Sequence, residues 1–323
     1  MNTLDIRMVA PLTPLHADGT LNTALISRQA DILRRRGAQG FYLCGGTGEG
    51  QLLTVAERKQ IAEAWRDILP ADVPMIVHVG SGSPMDAIDL ARHAQAIGAS
   101  GVSSVTPSPY AARDMNALVA HFAAIAAAAP ALPFYYYHNS ASPGLKIKAV
   151  DFLAAAQKKI PTLGGIKYTD ADLMDYSRAL RFDGGRYAVL YGKDEMSLGA
   201  LAMGARGFIG GSYNILCPLL RQVLQCWDDG QLDEARRAQD MLIDCISIFG
   251  RFGGLAALKA AALALDLDLG PMRLPLATVP VSDIPRLHAE LDATWPQWKE
   301  TTFICDQQQS SSSAIPVSAA LTS

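Results

Sequence analysis

Eight short apolar, β-rich runs recur along the chain at intervals of roughly 20–35 residues, with helical patterns between them, as repeated βα units require. They are IRMVA (6–10), GFYLCG (40–45), PMIVHVG (74–80), GVSSVTP (101–107), LPFYYYH (132–138), LGGIKY (163–168), YAVLYG (187–192) and GFIGG (207–211). Five or six such strands would suggest an open, doubly wound sheet, whereas eight close a barrel. The pattern predicts an α/β chain folded as a (β/α)8 TIM barrel.

The helices between the runs carry their own start and stop signals. Thr54 with Glu57 makes a T-x-x-E capping box, and Ile61, Trp65 and Ile68 follow on one face. Ser83 then Pro84 reads as an N-cap followed by a proline at the first helical position, and Gly98 closes that helix. Ile26, Ala30 and Leu33 give the first helix a buried stripe that Gly37 ends. After Gly211 the rhythm stops. From about Pro218 to Leu265 the chain is Ala- and Leu-rich and helical, and one more helix is expected to start near Asp283. The predicted organisation is a catalytic barrel over 1–217, a C-terminal helical extension over 218–302 and a disordered tail over 303–323. The tail's last stretch, QQQSSSSAIPVSAALTS, has neither charge nor periodicity.

Charge excludes some partners. Lys+Arg 28 against Asp+Glu 31 leaves a formal net charge of −3, which provides no footprint for nucleic acid or an anionic membrane. The longest uncharged stretch, Met115 to Leu145, is broken by Pro130 and Pro133 and carries the polar run HNSASPG, so it does not read as a membrane span. Asp5 and Arg7 stand where a signal peptide would be apolar. Cys44, Cys217, Cys226, Cys245 and Cys305 are widely spaced without C-x-x-C, which argues against a disulfide framework or a thiolate zinc site. A soluble cytoplasmic protein is expected.

Several segments could carry chemistry. CGGTGEG (44–50) follows a predicted strand and precedes the Thr54 helix, so its backbone N–H groups could bind an anion; a tight turn that merely needs glycine fits equally well. It is neither a Walker loop nor a G-x-G-x-x-G fingerprint. Lys167 ends the otherwise apolar run LGGIKY. An amine aimed into a barrel mouth loses hydration, which favours its neutral form, and a neutral amine can form a Schiff base with a ketone. A lysine paired with a carboxylate at a strand end is the alternative. Lys259, in LAALKAAL, is read as a snorkelling side chain. Any of Tyr135, Tyr136 and Tyr137 could move protons at a barrel mouth, and spacing does not choose among them. In YGKDE (191–195), Asp194 and Glu195 could accept hydrogen bonds from a polyol, or could simply start a helix. The six histidines show no H-x-H or H-E-x-x-H spacing, so no metal site is expected; His78 and His138 both end strands and could approach one another in a barrel, but core or supporting roles are the expectation for them.

A glycine loop after strand two, a tyrosine on strand five and a lysine on strand six form an ordered set. In this the chain resembles the family of pyruvate-dependent class I lyases that includes N-acetylneuraminate lyase and dihydrodipicolinate synthase. The likeness runs from about Ile6 to Asn214 and more loosely into the helical extension. It is strongest towards the animal-type lyases in AAAAPALPFYYYH (126–138) with GLKI (144–147), in IPTLGGIKYTDADLMDY (160–176) and in YGKDEMSLGALAMGARGFIGGSYN (191–214).

The resemblance implies a (β/α)8 barrel with extra C-terminal helices, assembled as a homotetramer. It makes Lys167 the Schiff-base lysine and Tyr137 the proton-relay tyrosine, with Gly144 seven residues on. Gly46 and Thr47 would bind the substrate carboxylate, and Thr169, Gly192, Asp194, Glu195, Gly211 and Ser212 would contact the sugar chain. The implied partner is a small keto acid, with pyruvate and a sugar aldehyde as products and no metal or diffusible cofactor. Four departures stand out. Gly46-Thr47 replaces Ser-Thr or Thr-Thr; Gly211-Ser212 replaces Ser-Thr; HNSASP replaces the Ile-Pro that follows the tyrosine; and Ser142 stands where the synthase has an arginine, which argues against the synthase reaction. The expected activity is cleavage of a 2-keto-3-deoxy sugar acid, N-acetylneuraminate leading. Dehydration of a keto-deoxy acid or cleavage of a shorter one is the nearer rival, and a non-catalytic keto-acid sensor the farther.

Overall fold

The computed structural model describes residues 6–108, 110–142 and 146–300. The expected tail at 303–323, and Gly144, lie outside them. All eight apolar runs are strands: β1 (Ile6–Val9), β2 (Gly40–Leu43), β3 (Met75–His78), β4 (Gly101–Val105), β5 (Phe134–Asn139), β6 (Leu163–Thr169), β7 (Ala188–Tyr191) and β8 (Gly207–Gly210). They pair in sequence order, every pair parallel, and β8 returns to β1 to close the barrel.

The two faces of each strand divide the core, because side chains alternate along a strand. Met8, Tyr42, Ile76, Tyr135, Leu190 and Ile209 pack together inside the barrel. Val9, Phe41, Val77, Tyr136, Ile166 and Val189 join the larger core between strands and helices. In β6 the alternation is reset by a bulge: Phe134 pairs with Leu163 but Tyr135 pairs with Gly165, leaving Gly164 as the extra residue. Beyond the bulge Lys167 points into the barrel, while its neighbours Ile166 and Tyr168 face the helices. Parity also separates the two histidines. His78 sits inside near Tyr42, whereas His138 faces outward, stacked on Tyr168 at 4.9 Å, so they do not approach one another.

Helices α1 (Ile26–Arg35), α2 (Val55–Ile68), α3 (Pro84–Ala96), α4 (Met115–Ala127), α5 (Ala149–Ala156), α6 (Leu173–Arg181) and α7 (Ser197–Ala202) connect the strands. The capping box is formed: Thr54 Oγ1 accepts from the Glu57 N–H at 3.2 Å, and Glu57 Oε2 accepts from the Thr54 N–H at 2.8 Å. Ser83 caps α3 by accepting from the Asp86 N–H at 3.3 Å.

Among the described residues four α-helices follow: α8 (Tyr213–Asp228), α9 (Leu232–Arg251), α10 (Leu255–Ala262) and α11 (Ile284–Thr294). The first starts at Tyr213, five residues before the expected Pro218, which lies inside it. The division at 217/218 therefore falls within one helix. Arg36, at the end of α1, fastens the extension to the barrel. Its guanidinium donates to the carbonyls of Ile215, Trp298 and Glu300 at 2.6–2.7 Å, and burial lowers its pKa to about 10. Among the described residues no single helix is long and apolar enough to cross a membrane.

Candidate active site

Lys167 and Tyr137 are direct partners across the β5–β6 register. The Lys167 side chain lies in the barrel mouth with the residue only 5% exposed. Its Nζ stands 4.1 Å from the ring centroid of Tyr42 and 4.2 Å from that of Tyr137, so two aromatic faces hold it. Tyr42 was not singled out by the sequence. Its hydroxyl donates to Ser103 Oγ at 2.9 Å, and burial raises its pKa well above the usual value, leaving it a neutral wall.

The structure separates the three tyrosines that spacing could not. Tyr135 points inward one layer below, Tyr136 packs outside the barrel 4.2 Å from the Phe152 ring, and Tyr137 alone meets the lysine. His78 lies edge-on to Tyr137, centroids 6.2 Å apart, and its Nε2 accepts from the Val105 N–H at 3.2 Å. Burial, with Arg58 and Lys167 nearby, keeps its pKa well below the ordinary value, so it is a neutral packing group. Among the described residues no group of three His, Cys, Asp or Glu could hold a metal.

The loop after β2 is built around two inward carbonyls. Gly46 O accepts from the Glu49 N–H and Gly45 O from the Gly50 N–H, both at 3.0 Å. A trans peptide points its N–H opposite to its carbonyl, so the Gly46 and Thr47 N–H groups face away from these bonds. Among the described residues neither donates to another backbone carbonyl. Two adjacent backbone donors without a backbone partner are groups to which an anion can bind. The loop begins with Cys44 at φ 55°, an uncommon conformation for a side-chain-bearing residue.

The far wall comes from β7 and β8. Gly192 has no side chain because none fits: a methyl there would lie 2.5 Å from Thr169 Oγ1 and 3.3 Å from Lys167 Cε. Gly211 does the same for the loop, since its methyl would lie 2.6 Å from Thr47 Oγ1. Asp194 is buried, and its Oδ2 accepts from the Ser212 hydroxyl at 2.6 Å and the Ser212 N–H at 3.1 Å. Desolvation pushes its pKa up to about 6. Thr169 Oγ1 and Asp194 Oδ1 are buried without a hydrogen-bond partner among the described residues. Lys167 thus lies against Tyr137 and Gly192, and Gly192 against Thr169, while Gly211 lies against Thr47 and the Asp194–Ser212 hydrogen bonds tie the loop after β7 to the loop after β8. Glu195 diverges from Asp194: its carboxylate is partly exposed and lies 3.6 Å from Lys193 Nζ.

Lys259 does not snorkel. Its ammonium is buried and lies 2.9 Å from Glu49 Oε1, a partner on the 44–50 loop that local sequence could not reveal. Lys and Glu are rarely buried unless paired, so an apolar neighbourhood around a lysine was as much a signal for a distant acid as for exposure.

Comparison with known proteins places this geometry among relatives. The profile of the dihydrodipicolinate synthetase family matches residues 4–294. N-acetylneuraminate lyase of Gallus gallus is 35% identical over 295 residues, covering 90% of this chain and 96% of that protein. The solved structure of N-acetylneuraminate lyase (sialic acid aldolase) from Aliivibrio salmonicida superposes with a TM-score of 0.88 at 35% identity, covering 91% of this chain and 98% of that one. N-acetylneuraminate lyase of Proteus mirabilis gives a TM-score of 0.88 at 34% identity, covering 91% and 99%.

Proposed function

Because the chain belongs to the dihydrodipicolinate synthetase family, we propose that it is a Schiff-base lyase cleaving a 2-keto-3-deoxy sugar acid, with N-acetylneuraminate the leading substrate. The observation that carries this reading is the Lys167 amine, held between the rings of Tyr42 and Tyr137 in a mouth that also presents the free N–H groups of Gly46 and Thr47.

The substrate carboxylate sits on the Gly46 and Thr47 N–H groups, which fixes the adjacent C2 ketone near Lys167. The neutral amine adds to C2, and the hydroxyl of the adduct takes a proton from solvent and leaves as water, giving an iminium. As the C3–C4 bond breaks, its electron pair flows to the iminium nitrogen and an enamine forms. Tyr137 relays the proton of the C4 hydroxyl, accepting it while passing its own phenolic proton to the substrate carboxylate, so C4 departs as an aldehyde. The enamine is then protonated at C3, and hydrolysis releases pyruvate and the free amine. Thr169 Oγ1 and Asp194 Oδ1 offer hydrogen bonds to the hydroxylated tail, with Gly192, Gly211 and Ser212 shaping that wall. Glu195, at the rim, meets the end of a long tail.

One observation favours a second reading, dehydration or cleavage of a shorter acid. A methyl at Gly46 would meet nothing within 4 Å, so the site has room where the family places a hydroxyl. Product analysis separates the two. Pyruvate plus an aldehyde sugar from N-acetylneuraminate means cleavage; a product retaining every carbon means dehydration and overturns the lyase assignment. A homotetramer belongs to the same reading and rests on the resemblance, and a cytoplasmic location rests on the widely spaced cysteines. Cell fractionation and light scattering test them.

A further inference from the structure

The reaction does not use the buried Glu49–Lys259 pair, yet Glu49 belongs to the loop that carries the anion site. Its backbone is in the left-handed region, φ 55° and ψ 25°, which a side chain disfavours unless the surroundings hold it. The surroundings here are the C-terminal extension. Lys259 Nζ on α10 lies 2.9 Å from Glu49 Oε1, the two side chains 3% and 1% exposed, and the Arg273 N–H donates to Oε2 at 2.7 Å. Both carboxylate oxygens are therefore held from outside the barrel. Lys259 is itself fixed by donating to Pro271 O at 2.7 Å. The Arg273 side chain clamps the far end of the loop, pairing with both oxygens of Glu57 at 2.7 and 2.8 Å and donating to Leu52 O at 3.2 Å.

We infer that Glu49, Lys259 and Arg273 are positioning residues, through which the C-terminal extension holds the 44–50 loop in its anion-binding shape. The link to binding is direct. The Glu49 N–H donates to Gly46 O, so a shift of Glu49 rotates the 46–47 peptide and swings the Thr47 N–H off its target. A buried carboxylate that loses its cation cannot stay where it is, because an uncompensated buried charge is costly. The extension is in this sense part of the site. The inference rests on the 44–50 loop being the keto-acid carboxylate site.

The test is the pyruvate concentration giving half-maximal borohydride labelling of Lys167, measured on folded protein alongside the maximal labelled fraction and Tm. Glu49→Gln and Lys259→Met are expected to raise the half-saturating concentration tenfold or more while the maximal fraction stays at the wild-type level. Lys259→Arg, which keeps the cation, is expected to restore most of the affinity. Arg36→Lys cuts a different anchor of the extension and should lower Tm without moving half-saturation. If a single substitution prevents folding, Glu49→Gln/Lys259→Met removes both charges together and is expected to show the same rise. Folded variants that lose Tm but keep wild-type half-saturation would overturn the inference and leave the lyase reading intact. A wild-type protein that takes no label at all would instead sink the lyase reading, and this inference with it.

Discussion

Replacing Asp194 by Asn should stabilise the protein at neutral pH while damaging its substrate range. Asp194 is buried, one oxygen bonded to Ser212 and the other without a partner among the described residues. Burial pushes its pKa from 3.8 up to about 6. A raised native pKa means that the folded state holds the proton more tightly than the unfolded chain. Ionising Asp194 therefore costs stability, with no cost below pH 3.8 and the full cost above pH 6. The gap of about 2 pK, at 1.36 kcal/mol each, gives about 3 kcal/mol. Asn keeps an acceptor for Ser212 and carries no charge. Urea denaturation of wild type and Asp194→Asn should coincide near pH 4 and diverge as pH rises, the variant gaining about 3 kcal/mol by pH 7. Other titrating groups cancel in the difference. The same variant should bind a polyhydroxylated acid less well, because a strong acceptor is gone. A stability difference that does not change with pH, or a variant less stable at pH 7 than at pH 4 relative to wild type, would refute the reasoning.

Tyr137→Phe should lose ~10²–10⁴-fold in turnover yet still form the pyruvate adduct, since only the proton transfer is removed. Tyr136→Phe, outside the barrel, should turn over normally, and steady-state kinetics with adduct mass spectrometry compare the two. Glu195→Gln should raise KM for a nine-carbon acid far more than for 2-keto-3-deoxygluconate; equal effects on both would remove Glu195 from the tail site. Gly192→Ala places a methyl 2.5 Å from Thr169 Oγ1 and against the Lys167 stem, so kcat should fall sharply, whereas Gly46→Ala meets open space and should leave Tm unchanged. Thermal melts and pyruvate release distinguish them.

The barrel was legible because every strand is a short apolar run bounded by turn residues, and eight runs admit one closed architecture. The choice of Lys167 and Tyr137 came from motif order and resemblance, and the register across β5 and β6 puts Tyr137 opposite the lysine where residue spacing left three tyrosines open. Parity also explains why His78 and His138 stay apart in core positions: both end strands, but at inward and outward positions. The start of α8 was placed late because Pro218 looks like a helix opening, whereas it sits in the helix's second turn. Tyr42 and the Lys259–Glu49 pair were beyond local pattern. Each depends on a partner more than a hundred residues away in sequence, and only closure of the barrel with its extension brings them together.

Every catalytic role proposed for this barrel depends on the Lys167 amine forming a Schiff base with a keto acid. Incubation with pyruvate and borohydride, followed by peptide mass spectrometry, tests it most directly. A single reduced pyruvate adduct is expected, on Lys167, blocked by Lys167→Met and still formed in Tyr137→Phe. A label on Lys193 or Lys259, or no label on any lysine, would contradict it.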